Sequence, residues 1–177
     1  MLNKLPFLFL LFIVQIALAD NPSSYKLTVL REEYRAASLD ADVASRFNKK
    51  MMAYKGEDAS VLAYKAASEA VMAKYVWNPY SKLKQVKSAA AIFEKAVEKD
   101  ADNPEIRFLR FTVEYYVPRY LNLSPNIEKD KKIVIEALKE HPKSGMPTEL
   151  ARTILDFMIS KEHTTPAEKK VLQRIDI

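Results

Sequence analysis

The chain has no cysteine among its 177 residues, and it has only two glycines and two histidines. Without cysteine it forms neither disulfides nor thiolate metal sites, and a lipid-modified cysteine behind an export signal is excluded. So few glycines disfavour tight hairpin turns and a phosphate-cradling loop. The composition therefore argues against a β-rich fold, a disulfide-stapled fold and a nucleotide-binding loop.

The first 19 residues have the pattern of a secretory signal peptide. Lys4 supplies the positive charge, residues 5–18 are apolar, and Ala17-Leu18-Ala19 is a small-x-small cleavage site before Asp20. The apolar run is shorter than the ~20 residues that cross a bilayer, so no membrane span is expected after cleavage. An uncleaved signal anchor is the alternative. We expect export to the periplasm or the extracellular space, with residues 20–177 forming one mature domain.

Charge gives no sign of a nucleic-acid partner. The formal net charge is +5, and losing Lys4 with the signal peptide lowers it by one. The lysines are interspersed with acids instead of forming a block, which is typical of a solvated surface. A nucleic-acid protein would need a basic stripe and a compartment that contains nucleic acid. We therefore predict no nucleic-acid binding.

Hydrophobic periodicity and turn residues predict an all-α fold of about eight helices in a single domain. Residues able to cap a helix precede most of these segments, and Asn-Pro pairs open two of them. The predicted helices span residues 24–37, 40–54, 58–76, 79–99 and 104–117, then a sixth that ends near 140, a seventh over 147–161, and a short final helix after the capping box Thr165-Pro166-Ala167-Glu168.

One part of the pattern resembles a known repeat family. Ala89, Phe93 and Ala96, followed by the turn Asp100-Ala-Asp-Asn-Pro104, resemble the second half of a tetratricopeptide repeat. The resemblance covers residues 58–140. It implies antiparallel helical hairpins stacked in a short array with a concave groove, and a function in binding a protein or peptide. Hairpins of this kind bury their apolar faces only against neighbours, and about three and a half hairpins are available here.

No arrangement typical of catalysis is present. His141 and His163 each lie where a predicted helix ends, and both are interpreted as caps that interact with the helix dipole. Asp100 and Asp102 match the start of a calcium loop, but the glycine and the distal glutamate of that loop are missing. The sequence therefore predicts a protein that is not an enzyme and has no catalytic residue, metal site or cofactor.

The fifth helix and the loop after it, residues 104–120, are the candidate binding site. Apolar residues cover most of this helix, which predicts packing on more than one side. A narrow charged stripe remains, and we expect it to face the groove. Arginine forks suit carboxylates and tyrosine adds contact area, so the predicted partner is an acidic or carboxylate-ended peptide. The predicted partner-binding residues are Arg107, Arg110, Glu114, Tyr115, Arg119 and Tyr120.

Two other interpretations stay open at this point. In the first, Arg110 and Glu114 form an ordinary i,i+4 ion pair and the aromatic residues are core. In the second, the protein is a carrier for a small apolar ligand, with a pocket lined by Trp77, Phe108, Phe111 and Tyr115. A closed apolar cavity larger than ~300 Å³ would favour the carrier, and an open groove with charged walls would favour the interaction module.

Overall fold

The computed structural model describes residues 22–160 and 162–177. Within these ranges the chain forms eight α-helices and no β-strand, which confirms the predicted all-α class. The helices are α1 (Leu27–Ala37), α2 (Ala41–Ala53), α3 (Ala59–Tyr75), α4 (Pro79–Lys99), α5 (Pro104–Tyr116), α6 (Ile127–Lys139), α7 (Thr148–Ser160) and α8 (Pro166–Leu172), with short 3-10 turns at Pro22–Tyr25 and Arg119–Leu121.

Five of these helices begin at a side chain that accepts a hydrogen bond from the backbone of the first turn. The five caps are Asp40, Asp58, Asn78, Asn103 and Thr165. Helices α4, α5 and α8 also start on a proline, whose missing N–H costs nothing at that position. Because each cap acts within three residues, the local sequence is enough to set these helix starts.

The helices pack as successive hairpins around α3. Helix α1 packs on α2, α3 on α4 and α5 on α6, while α1 and α5 also pack directly on α3. Small side chains allow this crowding, since Ala63, Ala66 and Ala67 of α3 and Ala89 of α4 are fully buried. Alanine at a helix contact lets the two axes approach closely. The alanine-rich α3 is thus the centre of the fold.

Helix α5 joins two apolar cores. Its residues Ile106 and Leu109 belong to a core shared with α1 to α4. Phe111 belongs instead to a core formed with α6, α7 and α8. This is the packing on more than one side that the apolar pattern of residues 104–117 predicts. The position of α5 decides where its charged stripe can lie.

Helices α1, α3 and α5 run in the same direction. The Tyr34 and Tyr64 rings lie 5.9 Å apart, and further along both helices the Tyr75 hydroxyl donates to the Ala37 carbonyl at 3.3 Å. Helix α5 runs the same way as α1, since Arg31 donates to Glu105 near the start of α5 and Tyr34 lies beside Thr112 further along it. The C-terminal ends of all three helices therefore lie at one end of the stack.

The predicted signal peptide, residues 1–19, lies outside the described residues. In the described part of the chain, no helix combines the length and the apolar character that crossing a membrane requires.

Candidate functional site

Two of the predicted binding residues, Arg107 and Arg110, are buried around a single carboxylate. Both are 2% exposed, and Asp130 of α6 is 0% exposed. Arg110 donates to Asp130 from Nε at 2.6 Å and from a terminal nitrogen at 2.8 Å, which is the bidentate geometry of a strong pair. Arg107 donates to Asp130 Oδ1 at 2.8 Å and to the Ala101 carbonyl at 2.7 Å. We call these three side chains the Asp130 cluster.

The structure thus corrects the placement of these arginines, which were expected to face a groove. The charged stripe of α5 faces α6, because α5 already has apolar neighbours on its other sides. The third nitrogen of Arg110 reaches Glu94 of α4 at 2.9 Å, so this one guanidinium links α4, α5 and α6. Burial by itself would lower the pKa of Arg110, but the hydrogen bonds and charge of Asp130 raise it above its ordinary value. Arg110 therefore remains charged inside the protein.

Glu114 does not form the i,i+4 ion pair with Arg110 that the alternative interpretation predicts. Its carboxylate accepts the backbone N–H of Asn126 and the Asn126 side-chain amide, each at 2.8 Å. Asn126 is the N-cap residue of α6, but its side chain accepts no hydrogen bond from the first turn of that helix. Burial raises the pKa of Glu114, and the two bonds from Asn126 act in the opposite direction. Glu114 thus serves as a cap for α6 from a neighbouring helix.

Tyr115 packs against the segment between α7 and α8. Its ring meets that of His163 edge-on, with centroids 4.6 Å apart, and its hydroxyl donates to the Glu162 carbonyl at 3.0 Å. His163 is 3% exposed and stacks on Phe157 at 4.1 Å. Its Nδ1 lies 3.0 Å from the Phe157 carbonyl, which can only accept, so Nδ1 donates there. His163 therefore caps the end of α7, as predicted.

The other two predicted residues, Arg119 and Tyr120, are exposed in the loop between α5 and α6. Tyr120 is 81% exposed, and the nearby Tyr116 is 60% exposed. The loop is anchored where the Ser124 hydroxyl donates to the Glu114 carbonyl at 2.8 Å. The six predicted residues therefore do not form one site. Of the six, only Arg119 and Tyr120 remain exposed, and the neighbouring Tyr116 is exposed in part, since its hydroxyl lies 3.1 Å from His163 Nε2.

Further aromatic residues are exposed at the same end of the stack. Trp77 is 97% exposed and Tyr80 is 78% exposed, both at the turn between α3 and α4. Together with Tyr116 and Tyr120 they form what we call the aromatic edge. Sequence reasoning missed this edge because it placed Trp77 in an interior pocket.

A polar bridge between α1 and α5 was also missed. Arg31 donates to both carboxylate oxygens of Glu105 at 2.8 Å, and the Tyr64 hydroxyl donates to the same carboxylate at 2.7 Å. The hydrogen bonds of Glu105 raise the pKa of Arg31, and burial, followed by the charge of Glu105, raises the pKa of Tyr64. Arg31 and Glu105 are 74 positions apart in sequence. The bridge therefore joins α1 directly to the start of α5.

Of the four residues proposed for an apolar ligand pocket, three share the core of α5 to α8, namely Phe108, Phe111 and Tyr115, and Trp77 lies apart from them. Phe111 is fully buried in the core of α5 to α8, Phe108 packs edge-on against Phe157, and Trp77 is at the surface. Two depressions of about 520 Å³ each lie along α6, and both are open to solvent with charged walls that include Lys132 and Glu136. Neither depression is an enclosed apolar cavity.

The described residues contain no group of three or more histidine or acidic side chains placed to hold a metal ion. His141 lies near the Thr148 hydroxyl at 3.4 Å, and His163 is engaged with aromatic rings and a carbonyl.

No protein-family model, no curated protein and no solved structure matches this chain.

Proposed function

We propose that the chain is an exported, non-catalytic helical scaffold that binds a protein or peptide through the α5–α6 loop. The observation that carries this proposal is the exposure of Arg119 and Tyr120 on a loop that is held by the fold, beside Tyr116 at the end of α5. A loop fixed before binding loses little conformational entropy when the partner arrives. Tyrosine and arginine are the residue types that most often carry binding energy at protein interfaces.

The packing order supports a tetratricopeptide-like scaffold as part of the proposal. Helices α1, α3 and α5 are neighbours, and each packs on the helix that follows it. Such an array exposes the turns between helices along its ends. The partner then binds at the end of the stack, where Arg119 and Tyr120 are exposed.

Arg119 indicates the chemical class of the proposed partner. Its planar fork pairs with a carboxylate, and no acidic residue lies between Glu114 and Glu128 to compete for it locally. The tyrosines on either side add contact area and a hydroxyl each. An acidic or carboxylate-ended peptide is therefore the ligand class that we propose for this loop.

A displayed peptide library selected against the immobilised protein tests the proposal. We expect enriched peptides to carry acidic residues and to bind the double variant Arg119→Ala/Tyr120→Ala at least tenfold more weakly. The matched control is Arg46→Ala/Met52→Ala, which removes an arginine and a large side chain from exposed positions of α2, outside the loop and the aromatic edge. The proposal fails if no peptide is enriched, or if both double variants lose binding equally.

Export is part of the same proposal and is tested separately. The pattern of residues 1–19 supports cleavage after Ala19. N-terminal sequencing of the protein recovered outside the cytosol should begin at Asp20. A protein that keeps Met1 at the membrane would instead indicate an uncleaved anchor.

A further inference from the structure

The turn between α3 and α4 carries exposed aromatic residues together with exposed lysines. Trp77 and Tyr80 are 97% and 78% exposed. Lys74, Lys84 and Lys87 are exposed beside them. Tyr80, Lys84 and Lys87 recur at i, i+4 and i+7, so they share one face of α4. We call these five residues the basic corner.

The basic corner carries charged side chains of one sign only, which is positive. Between Glu69 and Glu94 the sequence contains four lysines and neither an acid nor an arginine. Among the described residues, no acidic side chain forms a salt bridge with Lys84 or Lys87. Their positive charge is therefore available to an external anion.

The fold holds the corner in one shape. The Asn78 side chain accepts the backbone N–H groups of Tyr80 at 2.9 Å and Ser81 at 3.2 Å, and Pro79 occupies the first helical position. The Lys74 ammonium group donates a hydrogen bond to the Ser38 carbonyl at 2.8 Å, and this bond links the end of α3 to the turn after α1. Trp77 thus projects from a fixed, convex turn.

We propose that the basic corner docks on an anionic lipid surface, with Trp77 and Tyr80 at the headgroup level and the lysines against acidic headgroups. Tryptophan and tyrosine favour the membrane–water interface because one end of each ring system is apolar and the other is polar. Lysines beside an anionic surface each add attraction within a Debye length. This peripheral docking involves other residues than Arg119 and Tyr120, so it does not depend on the proposed peptide site.

Two features favour a lipid surface over an acidic protein as the occupant. The corner protrudes, whereas anchors at protein interfaces fill matched pockets. Its cations are all lysines, which are mobile point charges suited to a fluid layer of headgroups, while arginine forks suit fixed carboxylates. The neighbouring start of α2 carries the exposed Asp40 and Asp42, so the docking area is limited to the corner itself.

Trp77 is the only tryptophan of the chain, so its fluorescence reports on this corner alone. We expect a blue shift when the purified protein meets vesicles of phosphatidylcholine with phosphatidylglycerol. Pure phosphatidylcholine vesicles should give little shift, and added salt should reverse the binding. Membrane binding through residues 1–19 would leave Trp77 in water, so an unshifted emission on bound protein would overturn the proposal.

Paired charge reversals locate the contact. Lys84→Glu/Lys87→Glu should lower the partition coefficient onto the anionic vesicles by about thirtyfold or more, from the attraction that two lysines supply. The control variant, Lys49→Glu/Lys55→Glu, makes the same change of net charge near the end of α2. In that region the Tyr25 hydroxyl donates to the backbone carbonyl of Lys50. This control should bind as the unaltered protein does. Equal losses in the two variants would reduce the effect to net charge and overturn the proposal.

A parallel titration with polyglutamate separates the two classes of anion. A blue shift with vesicles and none with polyglutamate supports lipid docking. A shift with polyglutamate and none with vesicles would assign the corner to an acidic protein and refute the lipid proposal. Sedimentation of Trp77→Ser/Tyr80→Ser with the anionic vesicles should show a loss of at least tenfold in partitioning. Retained binding of this variant would also refute it.

Discussion

Replacing Asp130 with alanine should destabilise the protein strongly, because it leaves two guanidinium groups buried without their shared carboxylate. Asp130 accepts three hydrogen bonds, one from Arg107 and two from Arg110, and all three side chains are at most 3% exposed. Breaking a buried pair by removing one partner costs about 3–5 kcal/mol. That is a large share of the ~5–15 kcal/mol that holds a typical domain folded.

The remaining contacts of the two arginines place the expected loss at the lower end of this range. Arg110 keeps Glu94, whose side chain is 56% exposed, and Arg107 keeps the Ala101 carbonyl. We therefore expect about 3 kcal/mol, or a fall in Tm of about 10 °C for a domain of this size. Asp130→Asn should lose nearly as much, since an amide nitrogen would then face the Arg110 donors.

Urea unfolding followed by far-ultraviolet circular dichroism measures this loss. Tryptophan fluorescence is a poor probe of unfolding here, because Trp77 is 97% exposed in the folded state. The control is Glu136→Ala, which removes the same charge from the surface of α6, where Glu136 pairs with Lys139 at 2.9 Å. This exposed pair should contribute only about 0.3–0.5 kcal/mol. A loss at Asp130 no larger than this would refute the buried cluster and return Arg107 and Arg110 to the candidate binding residues.

Two further predictions concern helix starts. Burial alone would raise the pKa of Glu168, but the hydrogen bonds from Thr165 and the charge of Lys131 lower this pKa. The ionised Glu168 therefore stabilises the folded protein above the pKa that it has in the unfolded chain. This stabilisation is lost as the pH falls through the pKa that it has in the folded protein. Glu168→Gln should therefore be less stable at neutral pH by about 0.5–1 kcal/mol, given its partial exposure, and urea titrations should show this difference disappearing below about pH 4. Asn103→Ala removes the acceptor for the first backbone N–H groups of α5 and should cost about 1 kcal/mol, while Asn103→Asp keeps the acceptor and most of the stability. A difference at Glu168 that persists in acid, or an Asn103→Ala protein as stable as the original, would contradict these assignments.

The predicted binding residues show where sequence reasoning reaches its limit. The spacing of Arg107, Arg110 and Glu114 correctly places them on one stripe of α5. Which neighbour that stripe faces depends on Asp130, which lies 20 and 23 positions away from the two arginines. A carboxylate so distant leaves no mark on the periodicity of α5 itself. The stripe therefore has the same pattern whether it faces solvent or another helix.

Trp77 shows the same limit in the opposite direction. Its hydrophobic character suggests an interior position, yet it follows the last residues of α3 and precedes the Asn78 cap. A residue in such a turn is buried only if another element covers the turn. In the described structure Trp77 stays 97% exposed, so its exposure was decided by the packing of distant elements.

The sequence by itself determined the all-α class, the number of helices and most of their boundaries, because caps, prolines and apolar spacing act over a few residues. Only the tertiary structure decided that the arginines of α5 close onto α6 and that aromatic residues gather at one end of the stack. The physical reason is range. Hydrogen bonds within a turn are set by adjacent residues, whereas burial and charge pairing depend on which helices meet in space.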